Sequence, residues 1–180
     1  MEKTIIVHSI QDIDILKEKI LLNTIVSTER LKRLVYEVQG IQVLKELKFK
    51  KMGYDPLFDE DINFIEFLNQ SLTYLVCLCA AKWLSQAHEK KSFKIHMGTQ
   101  TGYDIESIDG TVICECFAAT SVKSNKKLEK DILRVYGDSN ALYKYVIFYT
   151  AENDDLYINR MRNKYNLVSI NRIEFEQLVN

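Results

Sequence analysis

Between Ser27 and Lys51 apolar residues recur at Leu31, Leu34, Val35, Val38, Ile41, Leu44 and Leu47. Steps of three and four predict one long amphipathic helix over 28–50, capped by Ser27 or Thr28 and bent at Gly40. An earlier segment, DIDILKEKILL, reads as a short separate helix. Pro56, the single proline, sits in GYDPLFDED and marks the clearest break. Beyond it, EDINFIEFLNQSLTYLVCLCAAKWLSQAHEK is long enough for a helix of about seven turns. It is apolar over most of its circumference from Phe64 to Trp83, which predicts burial against a sheet. Asn69 and Gln70 interrupt that surface and read as buried structural amides.

At Ser92 the period changes. FKIHM, GYDIES and TVICECFA are short, rich in β-branched and aromatic residues, and separated by glycine-containing turns, so three strands are expected. Ser124 is placed to cap a helix with Leu128, Ile132, Leu133, Val135 and Tyr136 on one side, closing at Gly137. YKYVIFYT has the continuous apolar character of a strand covered on both faces. A helix DDLYINRMRNKY, a strand LVSI and a helix RIEFEQLV follow. The predicted order after residue 60 is α-β-β-β-α-β, then α-β-α, which implies an α/β fold with a mixed sheet flanked by helices. Residues 1–56 read as a helical N-terminal extension for packing or dimerisation, and 57–180 as the α/β core.

Composition narrows the function classes. At 180 residues and 47% hydrophobic the chain supports a sizeable core. Its net charge of -1 means that any nucleic-acid contact must come from a local patch. No apolar run is expected to approach the ~18 residues of a membrane span, the longest being short segments near LVCLCAA. MEKTIIVHSIQDIDILK lacks a signal-peptide core, so a cytoplasmic protein with reduced thiols and no membrane is expected. The four cysteines form two C-x-C pairs, Cys77/Cys79 and Cys114/Cys116. Residues two apart on a helix diverge, and the strand pair shares its face with Val112 and Ala118, so inert buried thiols are expected rather than zinc.

The candidate chemistry lies in GYDIESIDGTVICECFAAT, residues 102–120, where Asp104, Glu106 and Glu115 sit among core-type residues. Strand alternation puts Glu115 with Ile113 and Phe117, and Asp104 with Glu106. If the strands pair through Asp109-Gly110, Asp104 and Glu115 come close. Either these acids face solvent on an ordinary hairpin, or they converge on a hard divalent cation such as Mg²⁺ that offsets their repulsion. The histidines are scattered, and His96 on the first strand reads as a satisfied strand residue. No P-loop, dinucleotide fingerprint or serine-hydrolase elbow occurs.

The αβββαβ order, with an Asp on the second strand and a Glu on the third, resembles the PD-(D/E)XK nuclease superfamily, the restriction-endonuclease-like fold. The match covers roughly residues 60–150, and GYDIES-IDG-TVICECFAAT carries it. The resemblance implies that Asp104 and Glu115 bind Mg²⁺ (or Mn²⁺), with the carbonyl of Cys116 completing the shell. It implies an endonuclease hydrolysing DNA phosphodiester bonds. The motif lysine falls on Phe117, which is a departure from the family pattern. Either the cation comes from SVKSNKKLEKD, with Lys126 favoured by helical geometry and Lys123 second, or the domain is an inactive nuclease-fold module that binds nucleic acid or mediates assembly. The surplus apolar stripe on 28–50 suits a homodimer, which would match a palindromic duplex.

Overall fold

Strand β6 (Val112–Ala119) is the spine of the structure, with every residue from Val112 to Phe117 buried. Its alternating side chains meet packed layers on both faces, which is why TVICECFA carries no regular polar position except Glu115. The computed structural model describes residues 3–98 and 100–179. Its sheet has six strands in the order β1 (Thr4–Val7), β4 (Phe93–His96), β5 (Ile105–Ser107), β6, β7 (Tyr143–Thr150) and β8 (Ser169–Arg172). The first four are antiparallel neighbours, and β6, β7 and β8 are parallel. The fold is therefore α/β with a mixed sheet. The strand at Thr4–Val7 is an addition to the expected elements, because four residues give too short a pattern to tell from the start of a helix.

Two parallel crossovers complete this part of the chain. Helix α4 (Lys127–Tyr136) joins β6 to β7, and α5 (Asp155–Lys164) joins β7 to β8. Leu128, Ile132 and Val135 of α4 pack with Ile113, Phe117, Val146 and Phe148 of the sheet. The terminal helix α6 spans Phe175–Val179. Helix α3 (Phe64–Ala87) begins with a reciprocal cap, in which Glu66 donates its N–H to Asn63 Oδ1 at 2.9 Å and Asn63 donates to Glu66 at 3.3 Å. Among the described residues, α3 is the one helix long and apolar enough to cross a membrane, and 56% of its apolar window is buried. Its apolar residues are spread through 24 positions with polar ones between them, so length and average hydropathy, not an unbroken run, qualify it. Asn69 is exposed rather than buried, and Gln70 donates to Glu66 at 3.2 Å.

The chain divides into two compact units, Met1–Ile13 with Val76–Asn180, and Asp14–Leu75. The boundary expected at Pro56 falls inside the second unit. There, the single helix expected over 28–50 is two. Helix α1 runs from Ile10 to Glu37, absorbing the segment expected as a separate helix, since no Gly or Pro intervenes. Ser27 lies in its interior and accepts from Tyr54 N–H at 2.9 Å instead of capping. Gly40 adopts φ 61°, ψ -138°, a conformation costly for any side chain, and α2 (Ile41–Phe49) starts afresh. Strands β2 (Gly53–Tyr54) and β3 (Asp61–Ile62) form a ribbon, and Ile62, Phe64 and Phe67 make the local core with Leu31, Leu47 and Met52.

Candidate active site

Asp104 stands one residue before β5 and Glu115 lies in the middle of β6. The antiparallel register pairs Ile105 with Cys114, so the next step outward puts Asp104 opposite Glu115 on the same face. Asp104 also binds the partner strand directly, its Oδ2 accepting the Cys116 N–H at 2.7 Å. That side-chain acceptor takes the place of a continuing ladder, so the strand ends where the carboxylate begins. On the other side His96 donates its N–H to the Asp104 carbonyl at 2.8 Å. Asp104 is thus clamped between β4 and β6.

Glu115 is 1% exposed, and a carboxylate so deep needs a cation or a proton. Arg134 from α4 supplies a cation, with Nη1 2.8 Å from Glu115 Oε1. The same guanidinium donates to the Gly102 carbonyl and lies over the Tyr103 ring at 5.2 Å. Glu115 Oε1 nonetheless has no partner with hydrogen-bond geometry. Burial and then the Asp104 charge push the Glu115 carboxyl up to about 8, against the opposing pull of Arg134. Burial also raises Asp104, against the Cys116 N–H, Lys127 and a hydrogen bond with Glu115. The pair therefore retains a proton near neutral pH, and a site that holds protons this way is short of positive charge.

Helix α4 adds Lys127, which helical geometry predicts to point outward, and Asp131, which the sequence did not single out. Lys127 Nζ is 2.6 Å from Asp131 Oδ1 and 6.0 Å from the centre of the Phe117 ring. Asp131 is 3% exposed, its Oδ2 has no hydrogen-bond partner, and burial pushes its carboxyl up to about 6. Burial lowers the Lys127 ammonium, but Asp131, Asp104 and Glu115 together leave it raised. The available signal was the spacing of Lys127, Asp131 and Arg134 at i, i+4 and i+7, which puts them in one row on a helix.

The expected cations, Lys126 and Lys123, are not brought to the acidic pair. The helix does not continue from a Ser124 cap. Residues 124–126 form a 3₁₀ turn in which Asn125 (φ 51°) and Lys126 (φ 55°) are left-handed, and α4 starts at Lys127. That kink resets the helical phase, exposing Lys126 and turning Lys127 to the sheet. Lys123 pairs with Asp154 at 2.6 Å. Phe117, at the motif-lysine position, is 3% exposed and stacks on Phe148 with centroids 4.9 Å apart and planes 4° from parallel.

Glu106 shares the face of Asp104 but engages β4, at 3.5 Å from Lys94 and 3.4 Å from His96. His96 Nδ1 meets Thr4 Oγ1 at 3.1 Å. Cys116 presents its N–H to Asp104 and its thiol to the opposite face, where Cys114 Sγ lies 3.7 Å away and Cys77 also hydrogen-bonds it. Among the described residues no three His, Cys, Asp or Glu side chains form a ready metal-ligand set. Asp104 and Glu115 fit an ion that takes one or two carboxylates and fills its shell with water and phosphate oxygens. Comparison of the chain with models of known families, with curated proteins and with solved structures finds no match.

Proposed function

We propose that the chain is a restriction-endonuclease-like nuclease that hydrolyses DNA phosphodiester bonds with Mg²⁺ or Mn²⁺. The observation that carries this reading is the Asp104/Glu115 pair, set opposite each other on neighbouring strands, with Glu115 buried, Asp104 half-buried, and both carboxyls raised by burial and short of positive charge. The αβββαβ order around the pair supports the fold assignment. When bound, the ion supplies a water activated for attack on phosphorus. Asp104 and Glu115, with the Cys116 carbonyl, would hold it. Lys127 takes the role of the missing strand lysine, stabilising charge that develops on the phosphate. Exposed Lys130 extends the positive edge of α4 toward the DNA backbone. For Glu115 to hold an ion, Arg134 would have to turn away from it, and that side chain is half-exposed at 49%.

A second reading is an inactive module of the same fold that binds nucleic acid or mediates assembly. Two observations favour it: Phe117 is locked into the core, and Arg134 already occupies Glu115 at 2.8 Å. Calorimetric titration with Mn²⁺ on wild type and Asp104→Asn, alongside plasmid nicking, separates the two. Binding lost in Asp104→Asn together with nicking supports the enzyme. Metal binding without nicking of duplex or single-stranded DNA supports the module, and no metal binding by the wild type sinks the nuclease.

A further inference from the structure

Lys127, Asp131 and Arg134 form a positive-negative-positive row along α4, pinned to β6 at both ends. Lys127 lies over Phe117 and Arg134 reaches Glu115. Asp131 therefore sits between them, over the 115–117 stretch of β6, and it is 3% exposed. An i, i+4 ion pair in solvent contributes little and leaves a lysine free to sample many rotamers. This pair differs: the carboxylate is buried, one oxygen holds Lys127 at 2.6 Å, and the other has no hydrogen-bond partner. Burying a carboxylate with an oxygen left over lowers stability, so packing alone gives no reason to keep it there. A fixed direction for Lys127 does.

We propose that Asp131 is a positioning residue that holds the Lys127 ammonium over Phe117, so that a helix lysine stands in for the strand lysine of the nuclease pattern. The inference rests on the nuclease reading, and it explains how an apolar residue at position 117 is compatible with catalysis. Without Asp131 the flexible Lys127 side chain turns to solvent like its neighbours Lys126 and Lys130, and the phosphate loses its cation.

Single-turnover nicking and Mn²⁺ affinity are measured on wild type, Asp131→Ala, Asp131→Glu, Lys127→Ala and the Asp131→Ala/Lys127→Ala double variant. The expected result is a loss of roughly 10²-fold in rate for Asp131→Ala, the scale of one transition-state contact, with Mn²⁺ affinity within about threefold. Asp131→Glu recovers most of the rate. The double variant is no slower than Lys127→Ala, because a residue acting through Lys127 has nothing left to position. A wild-type rate in Asp131→Ala, or losses that multiply in the double variant, overturns the proposal. If the wild type nicks no DNA, the nuclease reading fails by itself. The placement is then read from ¹³C-methylated lysine NMR, where the Lys127 signal moves to the exposed-lysine position in Asp131→Ala. An unmoved signal overturns the anchoring.

Discussion

The Lys127 ammonium lies 6.0 Å from the centre of the Phe117 ring. A cation thus reaches the strand position from the helix, while the strand residue itself belongs to the core. Lys127→Ala is expected to reduce metal-dependent cleavage by about 10²–10³ and leave Mn²⁺ affinity nearly unchanged. Lys126→Ala and Lys123→Ala, whose side chains lie in solvent and on Asp154, should stay within about threefold in single-turnover nicking. The reverse ranking would remove Lys127 from the mechanism.

The acidic cluster sets a pH dependence of stability. Glu115 is raised from 4.5 to about 8 and Asp131 from 3.8 to about 6, burial first in both cases. The folded state thus binds protons that the unfolded chain has already released, and stability falls as pH rises from about 4 through 8. At about 1.4 kcal/mol per pKa unit the two shifts together set an upper bound of about 8 kcal/mol on the decline. Thermal melts without divalent metal should show Tm dropping from pH 5 to pH 8.5, and Glu115→Gln should flatten that slope. A Tm that climbs across this range contradicts the burial argument.

Phe117 and Phe148 stack in the core on the α4 face of the sheet. Phe117→Ala should cost about 3–5 kcal/mol, as for other buried aromatic truncations. Phe117→Lys restores the residue type of the family pattern but also loses this packing and asks a charge to enter the layer. It is expected to unfold at lower denaturant than wild type, by at least about 2 kcal/mol. Equal urea midpoints would show that position 117 tolerates a lysine.

Three thiols crowd the opposite face. Cys77, Cys114 and Cys116 are buried, and burial contributes to raising each thiol, led in Cys77 by its hydrogen bond with Cys116. Cys79 is the partly exposed one. In native protein at pH 8, a thiol reagent should label Cys79 first, with the other three released only on unfolding. Fast labelling of Cys114 would mean that the sheet opens.

Helix α2 has no buried residue, and Ile41 and Leu44 are 80% and 60% exposed. If a second copy covers this face, light scattering gives a dimer for wild type and a monomer for Leu44→Glu. A monomeric wild type at high concentration removes the homodimer.

The side-chain period alone placed β4, β6, β7, α4 and α5 within a few residues, because each buries a face and so shows its repeat in the sequence. It also singled out Asp104 and Glu115, since acids among core-type strand residues are conspicuous and the Asp109-Gly110 turn aligns them. Pattern could not find β1, four residues whose only meaning is their pairing with β4. Nor could it choose the lysine. Lys126 and Lys127 are neighbours of one residue type, and two left-handed residues decide which of them faces the sheet. Asp131 and Arg134 read as ordinary charges on an amphipathic helix until the crossover from β6 to β7 lays α4 across Glu115. Helix and strand periods are local and therefore legible in the chain, whereas the meeting of α4 with β6 depends on how the whole sheet is ordered.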